Sequence, residues 1–401
     1  MRLVVVGSGI VGAACADAAA ALGAEVIVVD AALPGQATAA GAGIICPWTA
    51  RMDDPARYSL ACAAARRYPD LVTRLAEAGD GDVSYRQVGA LYLADGERLE
   101  QVRDELLARR AGAPEIGEVQ VLGPAQARAL FPPLGDGRAA VLIGGAARVD
   151  GRLLTRALIR SAGRNGAEFR RGQARLVVRT GTPRRSGRVQ AGGVQVAGVV
   201  VAGELVEADV VVAAAGAWTA SFAEPAGVTI AVLPERGQIV HLSVRPADTS
   251  RWPVILPSGS GHYLLAFDDS RVVAGATREA GPGFDCRVTP GGLREVLERA
   301  LEVAPGLASA RYLETRAGLR PASQDGRPLL GGVAGVRGLV VATGLGASGL
   351  TLGPHAGAIA ARVALGLDPG ADLAPFDPTR PVPARAADEG DDSAARSLRG
   401  P

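Results

Sequence analysis

Arg320 stands before Pro321 in the segment Arg316-Ala-Gly-Leu-Arg320-Pro321, which leads into Asp325-Gly326-Arg327-Pro328. A guanidinium fixed there, in otherwise apolar surroundings, can form a two-pronged pair with a carboxylate. A structural salt bridge is the alternative. Tyr263, in His262-Tyr-Leu-Leu, could add a hydroxyl to the same carboxylate or could be a core or rim tyrosine. A second kind of chemistry is carried by glycine. Gly7, Gly9 and Gly12 have the G-x-G-x-x-G spacing, and Asp30 follows Gly12 by 18 residues. This predicts a dinucleotide cradle: Gly7 permits a sharp turn, Gly9 lets backbone approach a pyrophosphate, and Gly12 lets a helix pack closely on its strand. The helix N-terminus at Ile10 and Val11 offers free N–H groups to phosphate, and Asp30 accepts from ribose hydroxyls.

A second glycine turn, Gly344-Leu345-Gly346-Ala347-Ser348-Gly349, lies near the other terminus. Reduced flavin carries negative charge near N1 and its C2 carbonyl, and N–H groups around Leu350 and Thr351 at a helix start would stabilise it. The second turn therefore favours FAD over a nicotinamide cofactor. Its alternative is a helix that simply begins after a buried strand.

The elements that must position these groups follow from periodicity. Strand Leu3 to Val6, helix Ala13 to Leu22, a stop at Gly23 and strand Glu25 to Val29 surround the first turn. Gly35 to Ile45 is too flexible for a regular element and too apolar for an ordinary surface loop, which suggests close backbone approach to a ligand. A helix is predicted over Pro55 to Ala78, a strand over Tyr85 to Leu93 and a helix over Glu97 to Arg110. Helix Arg152 to Asn165, strands Ala167 to Arg170 and Ala174 to Arg179, and the segment Asp209 to Ala215, a short continuous apolar run after its aspartate, return to the first texture. Thr180 to Gly187 reads as a hairpin tip. Strands at Ile239 to Val244, Tyr263 to Phe267 and Val272 to Ala274, with no long helices between them, predict an antiparallel sheet. Helix Leu293 to Val303, strand Leu339 to Ala342 and helix Pro354 to Leu365 complete the chain, and a disordered tail is expected from residue 369.

With 401 residues and 48% hydrophobic content, the chain exceeds what one core usually serves, so two domains are expected. The net charge of +2 is nearly balanced, every basic residue is arginine, and the arginines are dispersed among few aromatics, which argues against nucleic-acid binding. Cys15, Cys46, Cys62 and Cys286 show no metal-ligand or disulfide spacing, and His241, His262 and His355 are read as structural. No bound metal, no spanning helix and no leader are expected, and the compartment is expected to be cytoplasmic.

Several longer segments carry a resemblance. Gly35-Gln-Ala-Thr-Ala-Ala-Gly-Ala-Gly-Ile-Ile-Cys-Pro-Trp48, Ala147-Arg-Val-Asp-Gly-Arg152, Ala214-Ala-Gly-Ala-Trp218 and Pro234-Glu-Arg-Gly-Gln238 occur in order, followed by Gly275-Ala-Thr-Arg-Glu279, Gly318-Leu-Arg-Pro321 and Gly344-Leu-Gly-Ala-Ser-Gly-Leu-Thr351. In these the chain resembles the FAD-dependent D-amino-acid oxidase and dehydrogenase family, its bacterial branch, with glycine and sarcosine oxidases as relatives. The resemblance implies an α/β fold, α+β overall. A discontinuous, GR2-type, Rossmann-like FAD domain would take residues 1–84, 147–222 and 311–368, and an inserted, mainly antiparallel substrate domain residues 85–146 and 223–310. It also implies cofactor contacts at Ala31, Thr38, Ala39, Gly43, Ile44, Ile45, Ala215, Gly216 and Trp218, an adenine contact at Ala174, and Thr351 near the flavin C2 oxygen.

The implied reaction is oxidation of the Cα–N bond of a D-amino acid by hydride transfer to flavin N5, giving an imine that hydrolyses to 2-oxo acid and ammonia. Arg320 and Tyr263 would hold the α-carboxylate. The electron acceptor would be oxygen or a quinone, and homodimer formation is open. Gly344-Leu345-Gly346 replaces the Gly-His-Gly of many relatives, and no cysteine follows Cys286, which argues for non-covalent FAD and against sarcosine specificity. Alternatives are a glycine or secondary-amine oxidase, a nicotinamide-dependent dehydrogenase, and a flavin-binding protein without turnover.

Overall fold

Leu3, Val4 and Val5 have no exposed surface, because the strand Arg2–Val6 is covered on both faces and flanked on both edges. It pairs in parallel with Glu25–Asp30 on one side and with Val210–Ala213 on the other. A continuous apolar run is what such a central strand requires. The computed structural model describes residues 1–49, 54–180 and 193–381. Among these, the sheet around Arg2–Val6 has nine strands, extended on one side by Glu168–Arg171 and on the other by Val336–Thr343, Val194–Val201 and Ala174–Thr180.

A second sheet of eight strands runs in the order Arg311–Ser323, Val232–Ser243, Arg271–Gly275, Tyr263–Phe267, Val254–Pro257, Ala90–Leu93, Ala140–Ile143 and Val119–Leu122. All its pairings are antiparallel except that of Val254–Pro257 with Ala90–Leu93. The chain enters each sheet more than once, so the mixed, discontinuous architecture expected from the sequence is present. A small third sheet of Ile44–Ile45, Ala147–Arg148 and Arg86–Gln87 adjoins them.

The helices Ile10–Ala21 and Gly349–Ala364, from opposite termini, pack directly together. Glycine permits this: a Cβ on Gly353 would sit 2.7 Å from the Ile10 side chain, and one on Gly357 would sit 2.4 Å from the Val11 carbonyl oxygen. Their close contact is what brings the two glycine turns to the same region.

Four expectations are corrected. Pro55 to Ala78 is two helices, Pro55–Arg66 and Tyr68–Glu77, because Pro69 has no N–H for the Ala65 carbonyl. The last helix starts at Gly349, five residues before Pro354, and tolerates that proline inside it. Pro354 cannot bond the Leu350 carbonyl, and the buried Tyr68 hydroxyl donates to that oxygen instead. Arg311–Ser323, assigned from sequence to the cofactor unit, is a strand of the second sheet paired to Val232–Ser243. Residues 369–381 are not a loose tail: Phe376 is buried in the same hydrophobic core as Leu3 and Ile359, and Arg380 pairs with Asp325 at 2.8 Å. The remainder of the expected tail, 382–401, and the hairpin tip at 181–187 lie outside the described residues. Among the described residues, no helix is long and apolar enough to cross a membrane.

Candidate active site

The first glycine turn is built as its spacing predicts. Gly7 has φ +101°, and a Cβ there would meet the Ala214 carbonyl oxygen at 2.4 Å. Gly12 faces back onto the Gly7 carbonyl, where a Cβ would come within 1.9 Å, so its role is packing. Gly9 has only the Thr38 hydroxyl nearby, at 3.3 Å from the position of a Cβ, and otherwise borders open space. The helix has no side-chain cap of its own, and Thr38 supplies one from outside: its Oγ1 accepts from the Ile10 N–H at 3.1 Å.

Asp30 closes the second strand with both carboxylate oxygens engaged. Oδ2 accepts from the Ser8 N–H at 2.5 Å and the Ser8 hydroxyl at 2.7 Å. Oδ1 accepts from the Ala32 N–H at 2.5 Å and from Gln36 Nε2 at 3.1 Å. The carboxylate therefore ties the glycine turn to the following loop.

These groups border one cavity of about 480 Å³ that also reaches the second glycine turn and the second sheet. From the first turn it is lined by Gly7, Gly9, Ile10 and Val11, and beyond the second strand by Asp30, Ala31, Thr38, Gly43 and Ile44. Ala174, Ala215, Gly216 and Trp218 form a further wall. Leu345, Gly346, Ala347, Gly349 and Leu350 contribute the turn and helix start from the C-terminal side. Arg320 and Tyr263 line the same cavity. The first residues of both helices thus open onto one space, where the positive ends of the helix dipoles favour an anion.

Six residues named from sequence do not line it. Gly12 packs as described, and Ile45 is buried in its strand pair with Ala147. The Ala39 carbonyl accepts from Arg152 Nε at 2.9 Å, and Ser348 Oγ accepts from Arg57 at 3.2 Å. Gly344, at φ +74°, packs against Leu329. The Thr351 hydroxyl, expected at the flavin, donates to the Ile44 carbonyl at 3.0 Å. Thr351 therefore fastens the last helix to the loop bordering the cavity.

Arg320 combines both readings made of it. Its Nη1 donates to Glu235 Oε1 and to the Thr277 carbonyl, each at 3.0 Å, and its side chain is 15% exposed. Glu235 stands directly opposite Arg320 in the strand register. The guanidinium lies against Gly237, where a Cβ would come within 2.5 Å of Cζ. Tyr263 rests on Gly275 in the same way, with its hydroxyl 2.6 Å from the position of a Cβ. Burial pushes the Tyr263 phenol up, opposed by the positive charges of Arg320 and Arg278, so it is a neutral O–H donor at neutral pH.

Sequence reasoning missed Glu235, Gly237 and Arg278. All three stood in quoted motifs, but only the strand register shows that the first two meet Arg320. No histidine or cysteine lines the cavity. Burial holds His241 down at about 3 and His355 at about 4, and drives Cys15 and Cys46 up to about 12. Among the described residues, no cluster of His, Cys, Asp or Glu could hold a metal ion.

An elongated dinucleotide fits this arrangement: the cavity passes two helix N-termini and a carboxylate, and a side chain at Gly7 would collide with neighbouring backbone. The comparisons with known proteins agree. The family model described as FAD dependent oxidoreductase matches residues 2–363. The oxidoreductase YurR of Bacillus subtilis (strain 168) is 43% identical over 377 residues, covering 94% of this chain and 98% of its own length. A glycine oxidase of Pseudomonas aeruginosa is 32% identical over 379 residues, with 94% and 98% coverage. The crystal structure of iminodiacetate oxidase from Chelativorans sp. BNC1 is 44% identical with a TM-score of 0.87, covering 94% of this chain and 99% of that one. With the model spanning almost the whole sequence and the cavity suited to its cofactor, the chain belongs to the DAO family of FAD-dependent oxidoreductases.

Proposed function

We propose that this enzyme oxidises the Cα–N bond of a small amino or imino carboxylate, of the class represented by glycine and iminodiacetate, to an imine that water then hydrolyses. The observation carrying this reading is that Arg320 and Tyr263 border the same cavity as both glycine turns. A carboxylate on the free edge of the guanidinium, with the tyrosine hydroxyl beside it, would fix the substrate's Cα relative to the cofactor. The D-amino acid expected from sequence would use the same anchor. The glycine and iminodiacetate oxidases among the relatives support the smaller or secondary amine as the first choice.

In this reading Gly7, Gly9, Ile10 and Asp30 hold the adenosine and pyrophosphate portion non-covalently, and the helix start at Gly349 and Leu350 faces the redox ring. When bound, FAD supplies the two-electron acceptor for the Cα hydride. The protein orients the carboxylate and excludes bulk water. No histidine, glutamate or cysteine lines the cavity among the described residues, so in this reading the substrate's ammonium group gives its proton to solvent before entry and the amine that enters is neutral. The division into a cofactor unit and a substrate unit, reoxidation by oxygen or a quinone, and a homodimeric state complete the proposal.

Anaerobic mixing of the FAD-bound protein with glycine, sarcosine, iminodiacetate, proline and paired D- and L-amino acids tests it. Reduction of the flavin by a glycine-class or imino substrate is expected. Reduction by D-amino acids alone would return the assignment to the sequence expectation, and reduction by none would remove it.

A further inference from the structure

Arg278 lines the same cavity as Arg320 and Tyr263, yet no described residue accepts a hydrogen bond from its guanidinium or forms an ion pair with it. Its direction is set by its neighbours. The backbone of Arg236 exchanges hydrogen bonds with that of Glu279 at 3.0 and 2.9 Å, and the Thr277 N–H donates to the Gln238 carbonyl, so 277–279 runs extended beside that strand. Successive side chains of an extended segment alternate in direction. Thr277 and Glu279 turn toward Gln238, whose Nε2 reaches Glu279 at 2.7 Å, and Arg278 turns the other way, toward the cavity. Gly261 also lines the cavity and lies against Arg278: a Cβ there would be 3.6 Å from Arg278 Nε, an ordinary contact distance.

The nearby carboxylates are committed elsewhere. Glu279 accepts from Arg236, Gln238 and Thr277, and Glu235 accepts from Arg320. Arg278, which is exposed, therefore faces solvent with no described carboxylate as its counter-ion, so its charge beside Tyr263 is free to meet a ligand. We infer that Arg278 recognises a second acid group, making the preferred substrate an amine that carries two carboxylates. This inference rests on Arg320 holding the first carboxylate. A monocarboxylate substrate would leave Arg278 to solvent, whereas a dicarboxylate would span both guanidinium groups and be held at two points.

Ether isosteres that have no amine to oxidise separate binding from turnover. Oxydiacetate and methoxyacetate would be titrated into the FAD-bound protein and followed by calorimetry and the shift of the flavin spectrum. Oxydiacetate is expected to bind roughly tenfold or more tightly, since a charge-assisted pair is added. Arg278→Gln should erase that preference and Arg278→Lys should keep part of it. Equal affinities in the unmodified protein, or a preference that survives Arg278→Gln, would overturn the inference. Arg320→Gln distinguishes this from failure of the underlying reading. Weakened binding of both ligands supports the shared anchor, and methoxyacetate binding indifferent to Arg320→Gln would remove that anchor and the inference together.

Discussion

The guanidinium of Arg320 lies on the bare backbone of Gly237, two positions along the strand from its ion-pair partner Glu235. Arg320 can reach the cavity only because position 237 has no side chain. Gly237→Ala should displace the guanidinium, since the added carbon would fall 2.5 Å from Cζ. We expect kcat/KM for a carboxylate substrate to fall on the order of 100-fold, with KM carrying most of the change and flavin content unaltered. Steady-state kinetics together with the flavin-to-protein absorbance ratio checks this.

Asp30 is expected to matter before any ribose is bound, because its two oxygens already accept from Ser8, Ala32 and Gln36. Asp30→Ala should loosen the first glycine turn and lower FAD affinity at least tenfold, and should also destabilise the apoprotein by roughly 1 kcal/mol as partly exposed donors exchange their acceptor for water. Asp30→Asn should retain part of the apoprotein stability. Flavin release measured by fluorescence and apoprotein denaturation measured by circular dichroism report the two effects separately.

Tyr68 and Pro354 are coupled through one carbonyl. Tyr68→Phe removes the donor to Leu350, and Pro354 cannot replace it, so a loss of about 1–3 kcal/mol is expected for an unsatisfied buried carbonyl. With Pro354→Ala added, the alanine N–H restores the helical bond and the same Tyr68→Phe change should cost less. A double-mutant denaturation cycle with additive effects would contradict the coupling.

Acid should weaken the fold before the carboxylates titrate. Burial and nearby arginines keep His241 and His355 neutral in the folded state, at about 3 and about 4, against 6.5 for the ordinary imidazole. The unfolded chain then binds more protons below pH 6.5. The stabilisation is therefore fully present above that pH and is lost as pH falls toward the folded values, by up to about 1.4 kcal/mol per pH unit for each histidine. Denaturant melts between roughly pH 4.5 and pH 7.5 should show this slope, and His355→Gln should reduce it.

The parts of the fold legible in the sequence were those with local signatures. A strand buried on both faces must be a continuous apolar run, as Leu3 to Val6 and Val210 to Val212 are, and a turn at φ +101° selects Gly7. Helix Glu97–Arg110 appeared at its predicted bounds. Strand Arg311–Ser323 was not legible as such, because Gly318, Pro321 and its charged residues obscure the alternation, and its place at the sheet edge is what tolerates the proline. The Glu235–Arg320 pair depends on a register between residues 85 apart, which no local pattern encodes. Thr351 was correctly placed near the helix start, yet its hydroxyl turns to Ile44 because only the packed structure brings that carbonyl within reach. Arg278 carried no signal beyond its motif, since an unpaired charge is visible only after every neighbouring acid has been assigned a partner.

The most direct test compares carboxylates with the amines they become on decarboxylation. Under anaerobic conditions, glycine, sarcosine or iminodiacetate should bleach the flavin of the purified protein far faster than methylamine or dimethylamine at equal concentration, and Arg320→Gln should abolish the difference. Equal bleaching by the amines that lack a carboxylate would show that the cavity joining the two glycine turns to Arg320 does not recognise its substrate through that guanidinium.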